Sequence, residues 1–134
     1  MNDQRSRSSI AARGTGVALI VVLAGVLVPS GGKLALGAKS TATGGYGDSN
    51  MGGTLAAELK HAGYDAIIVE GASDRPCYLY IEDDKVEMRD GSKYWGQGAI
   101  KTEDMLTKDL GKDFSIMTIG PAGEKQVVFA CVSQ

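Results

Sequence analysis

The sequence is poor in the side chains that carry most enzyme chemistry. Its 134 residues include one histidine, two cysteines, one tryptophan and three prolines. His61 falls near the end of a predicted helix, where an imidazole commonly interacts with the last carbonyl groups. Cys77 and Cys131 are far apart and outside any Cys-x-x-Cys spacing, so they indicate buried, reduced core cysteines rather than a zinc or iron–sulfur site. Trp95, in a glycine-containing turn, is predicted to anchor that turn on the core. No Ser-His-Asp or Cys-His catalytic set is recognisable.

A strong charge of either sign is also absent. Fourteen lysines and arginines face sixteen acidic residues, which leaves a net charge of −2. The positive residues are scattered except for three arginines near the start, so the chain has no basic patch that would favour nucleic acid. The acidic run Glu82, Asp83 and Asp84 is predicted to form the exposed tip of a hairpin, because consecutive carboxylates in a turn splay apart and make a poor metal site.

The apolar run Gly16–Val28 is too short to span a bilayer as a helix. It follows three arginines and precedes a small-residue turn, which is typical of a cleaved signal peptide and would predict an exported protein. The same valine-rich run is also typical of a buried strand that turns back into Lys33–Ala38, and we favour this interpretation and a cytoplasmic protein. We assign residues 1–16 as a disordered tail of no assigned role and residues 17–134 as one domain.

Glycine, in contrast, is abundant, and it concentrates between Gly44 and Gly53, where five of ten residues are glycine. This segment follows a strand-like run and precedes a predicted helix over Thr54–Ala62. Glycine adopts positive φ at little cost and leaves backbone N–H groups accessible, and a helix N-terminus favours negative charge. The pattern predicts a loop that binds an anionic, phosphate-bearing ligand. A P-loop is not indicated because no lysine precedes Thr54, and Asn50 stands where a dinucleotide fingerprint needs its third glycine.

The predicted elements occur twice in the same order: helix, glycine stop, strand, turn, strand. The first copy is helix Thr54–Ala62 with strands Ala66–Val69 and Cys77–Ile81; the second is helix Thr102–Leu110, strand Phe114–Ile119, a turn over Gly120–Lys125 and strand Gln126–Val132. A further hairpin pairs Cys77–Ile81 with Val86–Arg89 between the copies. Helices that accompany antiparallel strands favour an α+β fold with two repeats over a doubly wound parallel sheet.

Five blocks of the sequence, in this order, carry a family resemblance: KSTATGGYGDSNMGG, ELKHAGYDAIIVEG, PCYLYIEDDKVEMRD, YWG and IGPAGEKQVVFACVS. Over about Val26 to Ser133 the chain resembles the N-terminal domain of the tungsten-containing aldehyde ferredoxin oxidoreductase family. The resemblance implies an α+β domain of two intertwined repeats. It also implies that this domain forms the base for a tungstopterin (or molybdopterin) cofactor, with a magnesium ion linking the phosphates of two pterins.

The resemblance also implies roles for individual residues. Asn50 matches the family asparagine associated with magnesium, and Gly52 matches a glycine whose backbone touches the pterin. Lys33 stands where the family usually has an arginine, so the charge is kept but the planar guanidinium is lost. The cofactor-binding residues implied in this way are Lys33, Gly44, Gly45, Gly47, Asp48, Ser49, Asn50, Gly52 and Gly53; no catalytic residue is implied.

For the complete enzyme, the resemblance implies oxidation of an aldehyde to a carboxylic acid, with electrons passing through a 4Fe-4S cluster to ferredoxin. This chain is not expected to ligate the cluster, so its partners would be the remaining domains or a partner chain, ferredoxin and the aldehyde, and alone it should be inactive. An alternative interpretation is an exported module that binds a small anion or a protein after its N-terminal signal is removed.

Overall fold

A computed structural model describes residues 10–11 and 32–134. Within them the structure has three helices, and its short strands form three separate two-stranded sheets. In chain order the elements are β1 (Ile10–Ala11), β2 (Leu34–Lys39), β3 (Tyr46–Met51), α1 (Leu55–His61), β4 (Val69–Glu70), β5 (Cys77–Glu82), β6 (Lys85–Asp90), α2 (Ala99–Leu110) and α3 (Gly120–Glu124). The pairs β2–β3 and β5–β6 are antiparallel, and β1 pairs parallel with β4. This mixture of helices and antiparallel hairpins confirms the α+β class.

The glycine-rich segment is a strand for most of its length, not the loop that the sequence predicted. Six residue pairs join β3 to β2, from Leu34 opposite Met51 to Lys39 opposite Tyr46. This ladder satisfies backbone groups that a loop would leave to solvent. The tip closes with a hydrogen bond from the Ser40 N–H to the Gly45 carbonyl (2.8 Å). Gly37 leaves room for the Tyr46 side chain, whose hydroxyl lies 2.9 Å from the position a Cβ there would take.

The second hairpin, β5–β6, forms where the sequence predicted it. Glu82 pairs with Lys85 across a turn made by the two residues between them. Asp83 there has a φ of 47°, a conformation that aspartate tolerates better than most residues and that such hairpin turns require. Tyr80 is the buried residue of this hairpin, and its ring packs 5.2 Å from that of Phe114. The hairpin is therefore anchored to the segment that follows α2.

The two longer helices also match their predictions closely. In α1, Ala56 and Leu59 are buried and form a core cluster with Leu34 of β2. Gly63 ends this helix with a φ of 91°, and Gly111 ends α2 with a φ of 107°, as expected for glycine after a helix C-terminus. Helix α2 begins at Ala99, three residues before its predicted start at Thr102, and it buries Leu106.

The second copy of the predicted repeat is not built as strands. Predicted strands Phe114–Ile119 and Gln126–Val132 are reduced to one antiparallel bridge between Thr118 and Ser133. The predicted turn between them is α3, which Pro121 favours because its fixed φ suits the first turn of a helix. Without a partner strand among the described residues, this part of the chain turns instead of extending.

Two further predictions, one on the burial of the cysteines and one on the extent of a strand, are wrong. Cys131 is exposed and Cys77 is only half-buried, so neither is the fully buried core cysteine that the sequence predicted. The predicted strand Ala66–Val69 begins only at Val69, the first residue of β4. Cys77 does lie in a strand, β5, but its two-stranded sheet leaves it only partly covered, whereas residues 66–68 have no strand beside them in the part of the chain that the structure describes.

Residues 17–28, predicted as a buried strand or a signal segment, lie outside the described residues. From the N-terminal segment predicted as a tail, Ile10 and Ala11 pair with Val69 and Glu70. In the part of the chain that the structure describes, no helix has the length and apolar character needed to cross a membrane.

Candidate functional site

The β2–β3 register brings the most specific of the predicted site residues together. Leu34 faces Met51 and Ala35 faces Asn50, so Lys33 lies level with Gly52 at the same end of the hairpin. The chain is close-packed there, because a Cβ on Gly32 would lie 3.7 Å from the Gly53 carbonyl oxygen. Lys33, Asn50, Gly52 and Gly53 are all exposed. This end of the hairpin, adjacent to the start of α1, is the candidate site.

Two of the predicted residues lie elsewhere. Gly44 and Gly45 belong to the hairpin tip, at the opposite end of the six-residue strands. At about 3.4 Å per residue, the two ends are roughly 17 Å apart. Gly47, Asp48 and Ser49 lie between them along β3. The predicted set is therefore spread along one strand instead of enclosing one point, and only its α1-proximal part clusters.

The free edge of β3 supplies the backbone groups that the sequence predicted for this site. In the described chain β3 pairs only with β2, so half of its N–H and C=O groups point away from the ladder. A Cβ on Gly52 would meet nothing within 4 Å, so the backbone there faces open space. The N–H groups of this free edge and the exposed Lys33 side chain at the same end of the hairpin are both donors of a kind that suits an anion such as phosphate.

The start of α1 is occupied by a residue that sequence reasoning missed. With its amide oriented to satisfy its neighbours, the Gln134 side chain accepts hydrogen bonds from the N–H groups of Thr54 (2.9 Å) and Leu55 (3.0 Å). The Thr54 hydroxyl is also hydrogen bonded to that of Ser115 (2.7 Å). The N–H groups that were predicted to face an anion are thus capped by the chain itself. No local signal could have linked positions 54 and 134.

The remaining candidates adopt ordinary structural roles. His61 is exposed at the end of α1, with Nδ1 3.9 Å from a Glu58 carboxylate oxygen. The Tyr80 hydroxyl donates a hydrogen bond to the Glu82 carboxylate (2.9 Å), and Asp83 and Asp84 are exposed in the turn of the β5–β6 hairpin. Among the described residues, no group of three or more histidine, cysteine and acidic side chains is arranged to hold a metal.

A polar cluster beside Trp95 was not predicted. The Tyr94 hydroxyl donates to Asp109 of α2 (2.6 Å), and the Lys93 ammonium donates to the same carboxylate oxygen (2.5 Å). Burial and the bond to Asp109 raise the pKa of Tyr94 to about 12. Hydrogen bonds from Lys93 and then Tyr94 lower the pKa of the Asp109 carboxyl. The cluster fixes the turn over 92–97 to α2, while Trp95 itself stays about half exposed instead of anchoring on the core.

A sizeable cavity of the described chain is lined by neither Lys33 nor Asn50, although Leu34 and Leu55, which adjoin the candidate site, do line it. It has a volume of about 690 Å³ between α1, β5, α2 and the segment after α2. Leucine, isoleucine and tyrosine side chains line much of it, among them Leu59, Tyr80 and Leu106. It contains neither Asn50 nor Gly52. The cavity is therefore distinct from the glycine-rich surface, and its lining combines apolar side chains with charged ones such as Glu58 and Glu82.

Comparison with known proteins matches residues 11–134 to the family model described as aldehyde ferredoxin oxidoreductase, N-terminal domain. The tungsten-containing aldehyde ferredoxin oxidoreductase of Pyrococcus horikoshii is 50% identical over 111 residues, covering 82% of this chain and 18% of the relative. A further relative is the aliphatic sulfonate oxidoreductase, WOR-like subunit, of Pyrococcus furiosus, 35% identical over 129 residues, covering 85% of this chain and 21% of the relative.

Among solved structures, the chain resembles the active site complex BamBC of benzoyl coenzyme A reductase in complex with 1,5 dienoyl-CoA. The TM-score is 0.82 at 38% identity, over 88% of this chain and 19% of that one. The chain thus spans about a fifth of the length of the relatives it matches.

Proposed function

Since the chain belongs to the aldehyde ferredoxin oxidoreductase family, as a match to its N-terminal domain, we propose that it forms part of the base on which a tungstopterin (or molybdopterin) cofactor lies. The observation that carries the proposal is the register of the hairpin, which places Lys33, Asn50 and Gly52 at one exposed end. Three residues that the family resemblance singled out separately therefore lie together in space.

Each of these residues has a distinct role in the proposal. Gly52 offers backbone with no side chain in the way, so a flat ring system can lie against it. Lys33 contributes a positive charge to a phosphate. Asn50 would contribute an oxygen ligand to the magnesium ion that accompanies the cofactor. The proposed cradle consists of these groups and the adjoining part of the free edge of β3.

The bound cofactor would supply the redox chemistry, in which an aldehyde and water become a carboxylic acid with release of two electrons and two protons. This chain would bind and orient the cofactor. We propose further that the electrons leave through a 4Fe-4S cluster to ferredoxin. The rest of the enzyme would have to supply the cluster ligands, because the sequence has only two cysteines and a cluster needs four thiolates.

We also propose that residues 17–134 form one domain of a cytoplasmic enzyme. Support comes from the extent of the family match, which includes the apolar run Gly16–Val28. The exported-module alternative depends on the removal of that run, and nothing among the described residues favours it.

Neighbouring glycines allow a matched test of the cradle. Gly52→Val adds a side chain into open space, so the chain itself should fold normally. A ligand lying against that backbone would collide with it. In the complete enzyme context we expect this variant to remain soluble but to lose its pterin and tungsten, measured by pterin fluorescence and elemental analysis. Unchanged cofactor content would refute the assignment of Gly52 to the cradle.

Gly53→Val shows the contrasting effect of a change that disturbs folding itself. Gly53 has a φ of 109°, and a Cβ there would lie 2.5 Å from the Gln134 side chain. This variant should therefore lower the thermal stability of the chain. Cofactor loss with normal stability at Gly52, beside reduced stability at Gly53, would separate ligand contact from folding.

A further inference from the structure

Around α3 the chain exposes a group of large apolar side chains, here called the α3 patch: Trp95, Ile100, Ile119, Val127, Val128 and Phe129. Phe129 is 90% exposed and Ile100 79% exposed, whereas most side chains of this size lie inside a protein. Single exposed apolar residues are common, but a group of six is not.

The patch residues project from one place in the fold. The Gly96 N–H, next to Trp95, donates to both carboxylate oxygens of Glu124 in α3 (2.8 and 2.9 Å). A Cβ on Gly120, next to Ile119, would lie 3.4 Å from the backbone nitrogen of Ala99, the neighbour of Ile100. The Val127 N–H donates to the Ala122 carbonyl of α3 (2.9 Å). The turn over 92–97, the start of α2 and the segment after α3 therefore meet at α3.

The backbone around Trp95 is fixed by hydrogen bonds on both sides. Its turn is fixed on one side to α3 through Gly96 and Glu124, and on the other to α2 through the Tyr94–Asp109 hydrogen bond. An aromatic side chain whose backbone is already ordered loses little conformational entropy when a partner covers it. Rigid, half-exposed tryptophans are also among the residues that contribute most to protein interfaces.

We propose that the α3 patch is the surface on which the rest of the enzyme packs, through apolar side chains of that remainder. The relatives are about five times as long as the matched region, so a homologous enzyme has ample polypeptide to cover it. The inference rests on the proposed function, because the covering polypeptide is the remainder of such an enzyme. It concerns assembly rather than the cofactor, since none of the patch residues belongs to the β2–β3 hairpin.

The test compares the isolated 134-residue chain with a chimera in which the whole chain replaces the matched region of the Pyrococcus horikoshii enzyme. Amide hydrogen exchange is measured in both. Segments 92–100 and 119–130 should exchange at least tenfold more slowly in the chimera. Trp95→Ser and Phe129→Ser should each remove at least tenfold of that protection. Met88→Ser alters a side chain on β6 whose exposure (48%) is similar to that of Trp95 (47%), and this control should not change the protection.

Equal exchange of the patch segments in chain and chimera, protection unaffected by the patch variants, or failure to obtain a soluble chimera would each overturn the proposal. Dimerisation of the isolated chain that Phe129→Ser abolishes, without protection in the chimera, would also overturn it, because the occupant would then be a second copy. Tungsten content is measured on the same samples. If the patch is protected but the chimera lacks tungsten, the proposed interface is supported and the proposed cofactor cradle is contradicted. If the chimera contains tungsten but the patch is not protected, the cradle is supported and the interface is contradicted.

Discussion

Lys33 is the residue whose chemistry decides how the candidate site would meet a phosphate. It is exposed, immediately before β2 and level with Gly52. An ammonium group offers a point charge with three rotatable donors, whereas an arginine would offer two parallel donors in a fixed plane. We therefore expect one charge-assisted hydrogen bond to phosphate from this position.

Substitution of Lys33 tests that contact. Lys33→Met should weaken cofactor retention by about 1–3 kcal/mol, the range for losing a hydrogen bond to a charged group, while Lys33→Arg should retain it at least as well. Pterin released from the complete enzyme during dialysis is the measurement. Lys39→Met is the matched control, because Lys39 is exposed at the far end of the same strand. Similar losses from both methionine variants would indicate a general charge effect and contradict a specific role for Lys33.

At the scale of elements, the turn over 92–97 depends on polar contacts for its position. Tyr94 also packs edge-on against Tyr78 of β5, with ring centroids 5.8 Å apart. The turn therefore links the β5–β6 hairpin to α2 through one aromatic ring and one carboxylate. Because the pKa of Tyr94 is raised to about 12 in the folded chain, folding favours its neutral form.

The raised pKa predicts a specific pH dependence. Its contribution to the free energy of unfolding should be complete below pH 10, the ordinary pKa of tyrosine, and should disappear as the pH rises from 10 to about 12. Denaturant unfolding of the parent chain and Tyr94→Phe should differ by about 1 kcal/mol at pH 8 and converge towards pH 12. Tyr46→Phe, which deletes a hydroxyl from a largely exposed side chain, is the control. A difference that stays constant across this range would contradict the role of Tyr94 ionisation.

At the scale of the whole molecule, the residues that most often carry catalysis or bind a cluster are few and far apart. Its two cysteines lie in different parts of the fold, Cys77 on β5 and Cys131 near the C-terminal bridge. Its one histidine lies at the exposed end of α1. Glycine backbone, one lysine and one asparagine make up the candidate site, and in the proposal these groups bind and orient the cofactor.

The purified chain is therefore expected to contain no stoichiometric iron and to show no aldehyde-dependent reduction of ferredoxin or a viologen dye. The physical reason is that a four-iron cluster generally requires four thiolates. Iron analysis and dye reduction would be measured beside the Pyrococcus horikoshii enzyme as a positive control. Iron–sulfur absorbance or dye reduction by the chain without a partner would show that it is more than a cofactor base.

Local sequence signals predicted much of the fold. Helices α1 and α2 end at glycines because only a left-handed residue continues the chain there, and the β5–β6 turn forms at Asp83 for a similar reason. These signals act over a few residues and need no distant partner. The family was likewise recognisable, because its five blocks are read directly from the sequence, and the match over residues 11–134 confirms it.

Tertiary structure decided which segments pair as strands and which residues lie together, because both depend on residues far apart in the sequence. Most of the Gly44–Gly53 segment forms strand β3 because β2 lies beside it. The predicted strands Phe114–Ile119 and Gln126–Val132 do not form, because among the described residues only the Thr118–Ser133 bridge pairs them. The position of Lys33 level with Gly52 likewise depends on strand register, and the hydrogen bonds of Gln134 to the start of α1 depend on packing. A glycine-rich or apolar run fixes what a backbone can adopt; which strand or side chain lies opposite depends on residues far along the chain.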